Sequence, residues 1–513
     1  LLARGESRRR ELAVRAALGA SRTRLVGELF LEALAIAVLG GALGALLAWG
    51  ALRSLLAVAP VALPRWGDIG VDGWVLAFAV AASTLSALLA GLVPAVQLTE
   101  RRSGNVTELS GRATDAPGSR RMRSVLVGAE VALAFVLLAG AALLMQSLRE
   151  VTRVDPGFDP TGRLVAAIRL VETRYEGDAR QTAFFETLLE RLRAMPGVIG
   201  AGAVTTLPLS RGGIDHDIEF TVPGEAAASP GAPRQTDFRA ASAGYFESLG
   251  IPVRTGRSFG AADHGTAPPV MVVNETMAKL AFGDHSPLGR TIGVGDKGPG
   301  YQVVGVVADV HHRGLDEPAR PEVYVPLSQW PSYGEVQVVV RTAGDPAALG
   351  PALKGAVFAI DPQQPVASIA PLPELVVGST AAYRFRTLVL GTFSLLGVLL
   401  AAVGIYGLTS NLVARRTREM GIRMALGARA GDVIRLVARE GLVPVSVGLV
   451  VGAAGAVALT RLIAGFLYGV GARDPSSFAA TAMVLLATAA AALYVPARRA
   501  TRIDPVRALK IEG

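Results

Sequence analysis

The chain has 513 residues, of which 51% are hydrophobic and only 18% charged. With a mean hydropathy of +0.42, this composition excludes a wholly soluble protein and makes membrane embedding the first reading. Fifty-one basic residues against 42 acidic ones give a formal net charge of +9, and all the basic residues except Lys279, Lys297, Lys354 and Lys510 are arginine. That bias reflects residue usage, and no nucleic-acid partner is expected. The absence of cysteine excludes disulfides, thiolate zinc sites, iron–sulfur clusters and a cysteine nucleophile. The sequence opens on Leu1 and a charged stretch, with neither Met nor an apolar signal segment, so the natural N-terminus is expected to be missing.

Residues 29–49, 74–98, 124–148, 387–413, 441–460 and 476–497 are each long and apolar enough to cross a bilayer as helices, which takes about 20 residues. Their Leu, Ala, Val and Gly runs lack the alternation of a barrel strand. Arginine then sets their orientation. Seven arginines from Arg4 to Arg24 precede the first span, six from Arg101 to Arg123 separate the second from the third, and seven from Arg415 to Arg439 separate the fourth from the fifth. Arg498, Arg499, Arg502, Arg507 and Lys510 follow the sixth, whereas the two short loops opposite hold only Arg53, Arg65, Arg461 and Arg473. Both chain ends are therefore predicted to be cytoplasmic, and residues 149–386 extracytoplasmic.

Residues 149–386 are richer in Pro, Gly and charge and numerous enough for one or two compact units. A strand is predicted at 165–170, then a helix over 178–195 with Phe184, Phe185, Leu188, Leu189 and Leu192 on one face, stopped by Pro196 and Gly197. A strand at 198–206 completes a βαβ-like unit. Residues 270–273 lead into a short helix that Asn274 can cap, 302–307 and 335–341 are further strands, and 346–360 is a second amphipathic helix. The predicted fold is an α-helical membrane protein with six transmembrane helices plus an extracytoplasmic α+β domain of two subdomains.

An offset of 408 residues lays Glu11–Ala20 on Glu419–Ala428, with six of ten positions identical. The register continues without a gap through Glu32 and Glu440, Gly40 and Gly448, Gly44 and Gly452, and Arg53 and Arg461. The membrane unit is thus duplicated. Glu11 with Arg15, and Glu419 with Arg423, stand four apart in the favourable order for a helical ion pair. Val14 and Leu18, or Ile422 and Leu426, form an apolar strip, and Gly19 or Gly427 can end the helix in a left-handed conformation. The recurrence of charge pair and glycine stop together favours a docking helix over one resting on lipid headgroups. Gly40 with Gly44, and Gly448 with Gly452, have the small-xxx-small spacing that lets membrane helices approach closely.

These segments, with the closing stretch 495–509, resemble the FtsX-like domain of ABC transporter permeases of the MacB type. In the outer region, 245–252, 256–259 and Pro287-Leu288-Gly289 resemble the MacB-like periplasmic core domain. The resemblance implies a duplicated permease: 1–98 as the end of a first FtsX-like unit with two spans, 99–123 as a cytoplasmic linker, and 124–148 as the first helix of the second unit. Residues 149–386 would be the core domain and 387–513 the second FtsX-like domain with three spans, in a multi-pass protein of the bacterial inner membrane. It also implies that Glu419, Arg423, Leu426 and Gly427, with Glu11, Arg15, Leu18 and Gly19 as first-unit equivalents, touch a separate ABC ATPase subunit. No Gly-Lys-Ser or Gly-Lys-Thr occurs, so ATP is expected to be handled by another chain.

Glu130 lies within an apolar span, which marks it for function or for pairing near Arg123. His311 and His312, being adjacent, do not share a metal easily and are assigned to a surface turn. No hydrolase nucleophile motif or HExxH occurs, and no enzyme activity, cofactor or metal is expected. The favoured function is an export-type permease subunit coupling ATP hydrolysis by its partner to extracytoplasmic movement or release of substrate, with extracytoplasmic proteins as further partners. The alternative is a membrane-anchored binding or signalling scaffold with an extracytoplasmic ligand-binding domain.

Overall fold

A computed structural model of the protein describes residues 22–58, 70, 72–85, 117–171, 173–210, 216–223, 234–295, 300–330, 335–416, 419–420, 422–423, 426 and 429–501. The chain divides into a membrane unit, Leu1–Gln146 with Phe385–Gly513, and an outer unit, Ser147–Arg384. In chain order, helices α1 (Arg22–Val58), α2 (Gly73–Leu85) and α3 (Pro117–Arg153) come first. The Asp72 carboxylate caps α2 by accepting from the Val75 amide at 2.8 Å. Residues 86–98 of the second expected span lie outside the described residues.

The outer unit begins with β1 (Arg163–Ile168), α4 (Asp178–Arg193) and β2 (Val198–Val204). Helix α4 forms because its five large apolar residues recur at three- and four-residue spacing, and none of them is more than 3% exposed. There follow β3 (His216–Thr221), β4 (Gln235–Ala241), α5 (Tyr245–Leu249), β5 (Val253–Gly256), β6 (Val270–Asn274) and α6 (Glu275–Phe282). The Asn274 side chain caps α6, accepting from the Met277 amide at 2.9 Å. Next come β7 (Thr291–Val294), β8 (Tyr301–Val307), β9 (Glu322–Pro326), β10 (Val336–Thr342), α7 (Gly350–Phe358), β11 (Val366–Pro371) and α8 (Leu372–Ser379). Strand β10 lies between β1 and β2 and is antiparallel to both, so the expected βαβ-like unit is split by a third strand. The second amphipathic helix is shorter than its sequence pattern suggests, because a 3₁₀ turn over Ala347–Leu349 precedes it.

Topology gives the outer unit two lobes. In the first, β11, β1, β10 and β2 form an antiparallel sheet. In the second, β4, β3, β7, β8, β6 and β9 pair in succession and β9 returns to β4, so the strands close on themselves. The lobes are bridged by one strand pair, Val204 with Ala241, reinforced by the Ser242 amide donating to the Ala203 carbonyl at 2.8 Å. Across β3, β4 and β9 runs a buried charge network. Arg239 is fully buried, 3.5 Å from both Asp237 and Glu322. His312 Nε2 lies 3.3 Å from Glu322, which also accepts from the Tyr324 hydroxyl at 2.6 Å. His312 is therefore buried, contrary to the surface turn expected for it: the backbone is a loop, but the ring turns inward to this partner set.

Helices α9 (Ala381–Arg415), α10 (Ala430–Ile463) and α11 (Pro475–Ala500) complete the membrane unit. Among the described residues five helices, α1, α3, α9, α10 and α11, are long and apolar enough to span a bilayer. Val127, Val131, Ala134 and Phe135 of α3 pack with Ala401 and Ile405 of α9, Val445 and Ala456 of α10, and Leu485, Ala489 and Leu493 of α11. A Cβ on Gly448 would meet the Gly128 carbonyl oxygen at 2.5 Å, and one on Gly452 the Ala132 carbonyl oxygen at 2.9 Å. Their repeat equivalents Gly40 and Gly44 have no atom within 4 Å of that position among the described residues. Thus Gly452→Leu should destabilise the folded chain by about 1–3 kcal/mol through overpacking, whereas Gly44→Leu should leave thermal unfolding in detergent unchanged. Equal effects would contradict the packing.

Asp237 hydrogen-bonds Asp217 on the adjacent strand, and burial, then that bond, push its carboxyl up to about 6. Asp217 is held below its ordinary value, first by the bond from Asp237 and then, against some burial, by Arg320 and Arg313. A carboxyl raised in the fold contributes stability that is complete below its unfolded pKa, 3.8, and lost as pH climbs through about 6. Asp237→Asn, which fixes the neutral form, should therefore raise the thermal stability of the full chain at pH 8 and lose that advantage at pH 4. A pH-independent difference would contradict the assignment.

Candidate functional site: the segment between α9 and α10

Fourteen residues separate the ends of α9 and α10, and within them Glu419, Met420, Ile422 and Arg423 are helical. The Met420 amide donates to the Arg416 carbonyl at 2.9 Å and the Leu426 amide to the Ile422 carbonyl at 3.0 Å. Arg423 Nη2 stands 2.7 Å from Glu419 Oε1, the ion pair that the four-residue spacing predicts. Both partners are about half exposed, so this pair contributes a few tenths of a kcal/mol at most.

Burial anchors the segment more firmly. Met420, only 1% exposed, packs with Val413 of α9, Val437 of α10 and Ala497 of α11, which is worth about 1.5–3 kcal/mol for a side chain of its size. Arg416 Nη1 donates to Glu440 Oε1 of α10 at 2.8 Å, in a partly buried setting. At the far end the Asp432 carboxylate accepts from the Arg429 amide at 3.1 Å and caps α10. With one face held, the other projects: Leu426 is 82% exposed and Ile422 40%. A charged, pinned helical turn bearing two outward apolar side chains is suited to docking on another protein.

Glu419, Arg423 and Leu426 thus come together on one short turn. Gly427, and Glu11, Arg15, Leu18 and Gly19, lie outside the described residues. Gly448 and Gly452 sit against α3, on the same helix as Glu440. The sequence reading missed the anchor formed by Arg416, Met420 and Glu440. Its signal was in the repeat, since the offset of 408 places Arg8 on Arg416 and Leu12 on Met420, as it places Glu32 on Glu440. Glu130 is exposed on α3, and its carboxylate lies where a side chain on Gly404 of α9 would be; it belongs to a helix contact rather than to this segment.

The family description FtsX-like permease C-terminal matches residues 1–101 and 391–505, and the description MacB-like periplasmic core domain matches residues 131–356. Over 283 residues the chain is 26% identical to the Bacillus subtilis protein named uncharacterized ABC transporter permease YknZ, covering 52% of this chain and 68% of that one. It is 28% identical over 280 residues to the pyoverdine export ATP-binding/permease protein PvdT of Pseudomonas aeruginosa, covering 51% of this chain and 40% of the relative. It is 26% identical over 282 residues to the macrolide export ATP-binding/permease protein MacB of Marinobacter nauticus, at 51% and 41%. The match therefore spans about two-fifths of these two ATP-binding/permease relatives. Among solved structures, the periplasmic region of MacB from Actinobacillus actinomycetemcomitans aligns with a TM-score of 0.30 and 14% identity, over 44% of this chain and 95% of that one. The extracellular domain of YknZ from Gram-positive bacteria aligns at 0.26 and 18%, over 38% and 91%.

Proposed function

Because the chain belongs to the FtsX-like ABC transporter permeases that carry a MacB-like periplasmic core domain, we propose that it is the membrane subunit of an export-type system driven by a separate ABC ATPase. The segment between α9 and α10 is the docking element. Ile422 and Leu426 enter the partner, the Glu419–Arg423 pair sets the polar rim, and Arg416, Met420 and Glu440 carry force from that contact into α9 and α10. The stretch 11–20, alike in sequence, does the same for the first unit. One observation carries this reading: a helical turn whose inner face is fixed to three membrane helices presents a large apolar side chain, Leu426, almost wholly to solvent. An isolated surface turn has no need of that anchor, whereas a lever does.

In this reading the arginine-rich side of the membrane is cytoplasmic, and both chain ends lie there with the docking segments. Residues 1–98 supply two helices of a first FtsX-like unit, and 124–148 with 387–513 supply the second. Residues 149–386 form the extracytoplasmic core domain, in a bacterial inner membrane. ATP is hydrolysed by the partner, and this chain converts the movement into displacement or release of a substrate on the far side.

The test is co-purification with the cognate ATP-binding chain. Leu426→Asp, and the paired reversal Glu419→Lys with Arg423→Glu, alter exposed groups and should leave the fold intact while lowering recovery of the partner tenfold or more, the cost of a central interface residue at ~1.4 kcal/mol or above. Unchanged recovery overturns the docking assignment.

A further inference from the structure

The ten residues 308–317 that lead from β8 towards β9 bond to several separate elements of the outer unit. At their start the Ala308 amide donates to the Pro252 carbonyl at 2.9 Å. The Asp309 carboxylate receives the Thr276 amide at 2.9 Å and its hydroxyl at 2.7 Å, at the head of α6. The His312 carbonyl accepts from the Leu209 amide at 2.8 Å, past the end of β2. Arg313 Nη2 reaches Asp217 of β3 at 2.8 Å and Asp237 of β4 at 3.3 Å. These bonds tie the segment to the second lobe and to the connection that follows β2.

The same segment meets the chain where it enters and where it leaves the outer unit. Helix α3 ends at Arg153. Three residues on, the Pro156 carbonyl accepts from the His311 amide at 3.1 Å. Gly157, with φ at 82°, lies so close to the Asp309 carbonyl that a Cβ would collide with it. On the exit side α9 begins at Ala381, and the Tyr383 hydroxyl donates to Asp316 Oδ2 at 2.8 Å. Entrance and exit therefore bear on one short segment, at His311 and at Asp316, while Arg313 between them grips the second lobe.

We propose that residues 308–317 are the joint through which displacement of α3 and α9 reaches the outer unit, with Asp316 and Tyr383 as positioning residues. This rests on the reading of the chain as an ATP-driven lever. A pull on α9 acts on Asp316 through Tyr383, and Arg313 passes it to the strands bearing Asp217 and Asp237. A shift of α3 acts through Pro156 and Gly157 on the same backbone.

The chain has no cysteine, so spin labels can be placed at will in the full-length protein reconstituted with its ATP-binding partner. One pair, Glu186→Cys with Lys279→Cys, reports on the outer unit; a second, Leu459→Cys with Arg498→Cys, reports on the membrane unit. With ATP, both distances should change in the parent protein. Tyr383→Phe and Asp316→Asn remove one hydroxyl and one charge, and should at least halve the change in the outer pair, leaving the part that enters through Pro156 and Gly157, while sparing the membrane pair. The double variant should behave like either single one, and thermal unfolding should stay at the parent value. A normal outer change in both single variants overturns the joint and leaves the lever standing, and loss at both pairs also overturns it. If neither distance responds to ATP in the parent protein, the lever itself falls and the joint with it.

Discussion

The membrane unit depends on the contact of α10 with α3 at Gly448 and Gly452. In lipid there is no hydrophobic force between helices, so association rests on how closely their atoms approach. At these two glycines the helix backbone itself touches the Gly128 and Ala132 carbonyls. The same helix carries Glu440, which holds Arg416, and Val437, which covers Met420, and it packs on α9 and α11 as well. The exposed Leu426 is thus the last link of a chain of packing that starts inside the membrane.

The outer unit is built on a different principle. Its two lobes share an apolar core, yet one strand pair joins their sheets, and the second lobe keeps Arg239, Asp237 and Glu322 almost wholly buried. Such a network costs more in desolvation than an apolar core of equal volume. Its geometry is specific: the charges sit on neighbouring strands and bind the loop that carries His312 and Arg313.

Long periodic features were legible in the sequence. The helix expected over 178–195, the Asn274 cap and the strands expected at 198–206 and 302–307 rest on apolar spacing and capping chemistry, and the structure has them at 178–193, 274, 198–204 and 301–307. The Glu419–Arg423 pair follows from an interval of four. What sequence reasoning missed shares one cause: it depends on residues far apart in the chain. Strands β4 and β9 carry Asp237, Arg239 and Glu322 at buried positions, so neither reads as apolar. The placement of β10 between β1 and β2 is a long-range pairing that no local pattern records, and the Arg416–Glu440 anchor spans 24 residues. The repeat held a trace of that anchor in sequence alone, Arg8 aligning with Arg416 and Glu32 with Glu440.

If Leu426 docks on an ATP-binding chain, the segment that carries it must face the compartment in which ATP is made. The most direct measurement is the labelling of Leu426→Cys with a membrane-impermeant maleimide in right-side-out spheroplasts, with Lys279→Cys in the outer unit as the control. Position 279 should react at once, and 426 only after the membrane is permeabilised. Reaction at 426 in intact spheroplasts would contradict that docking.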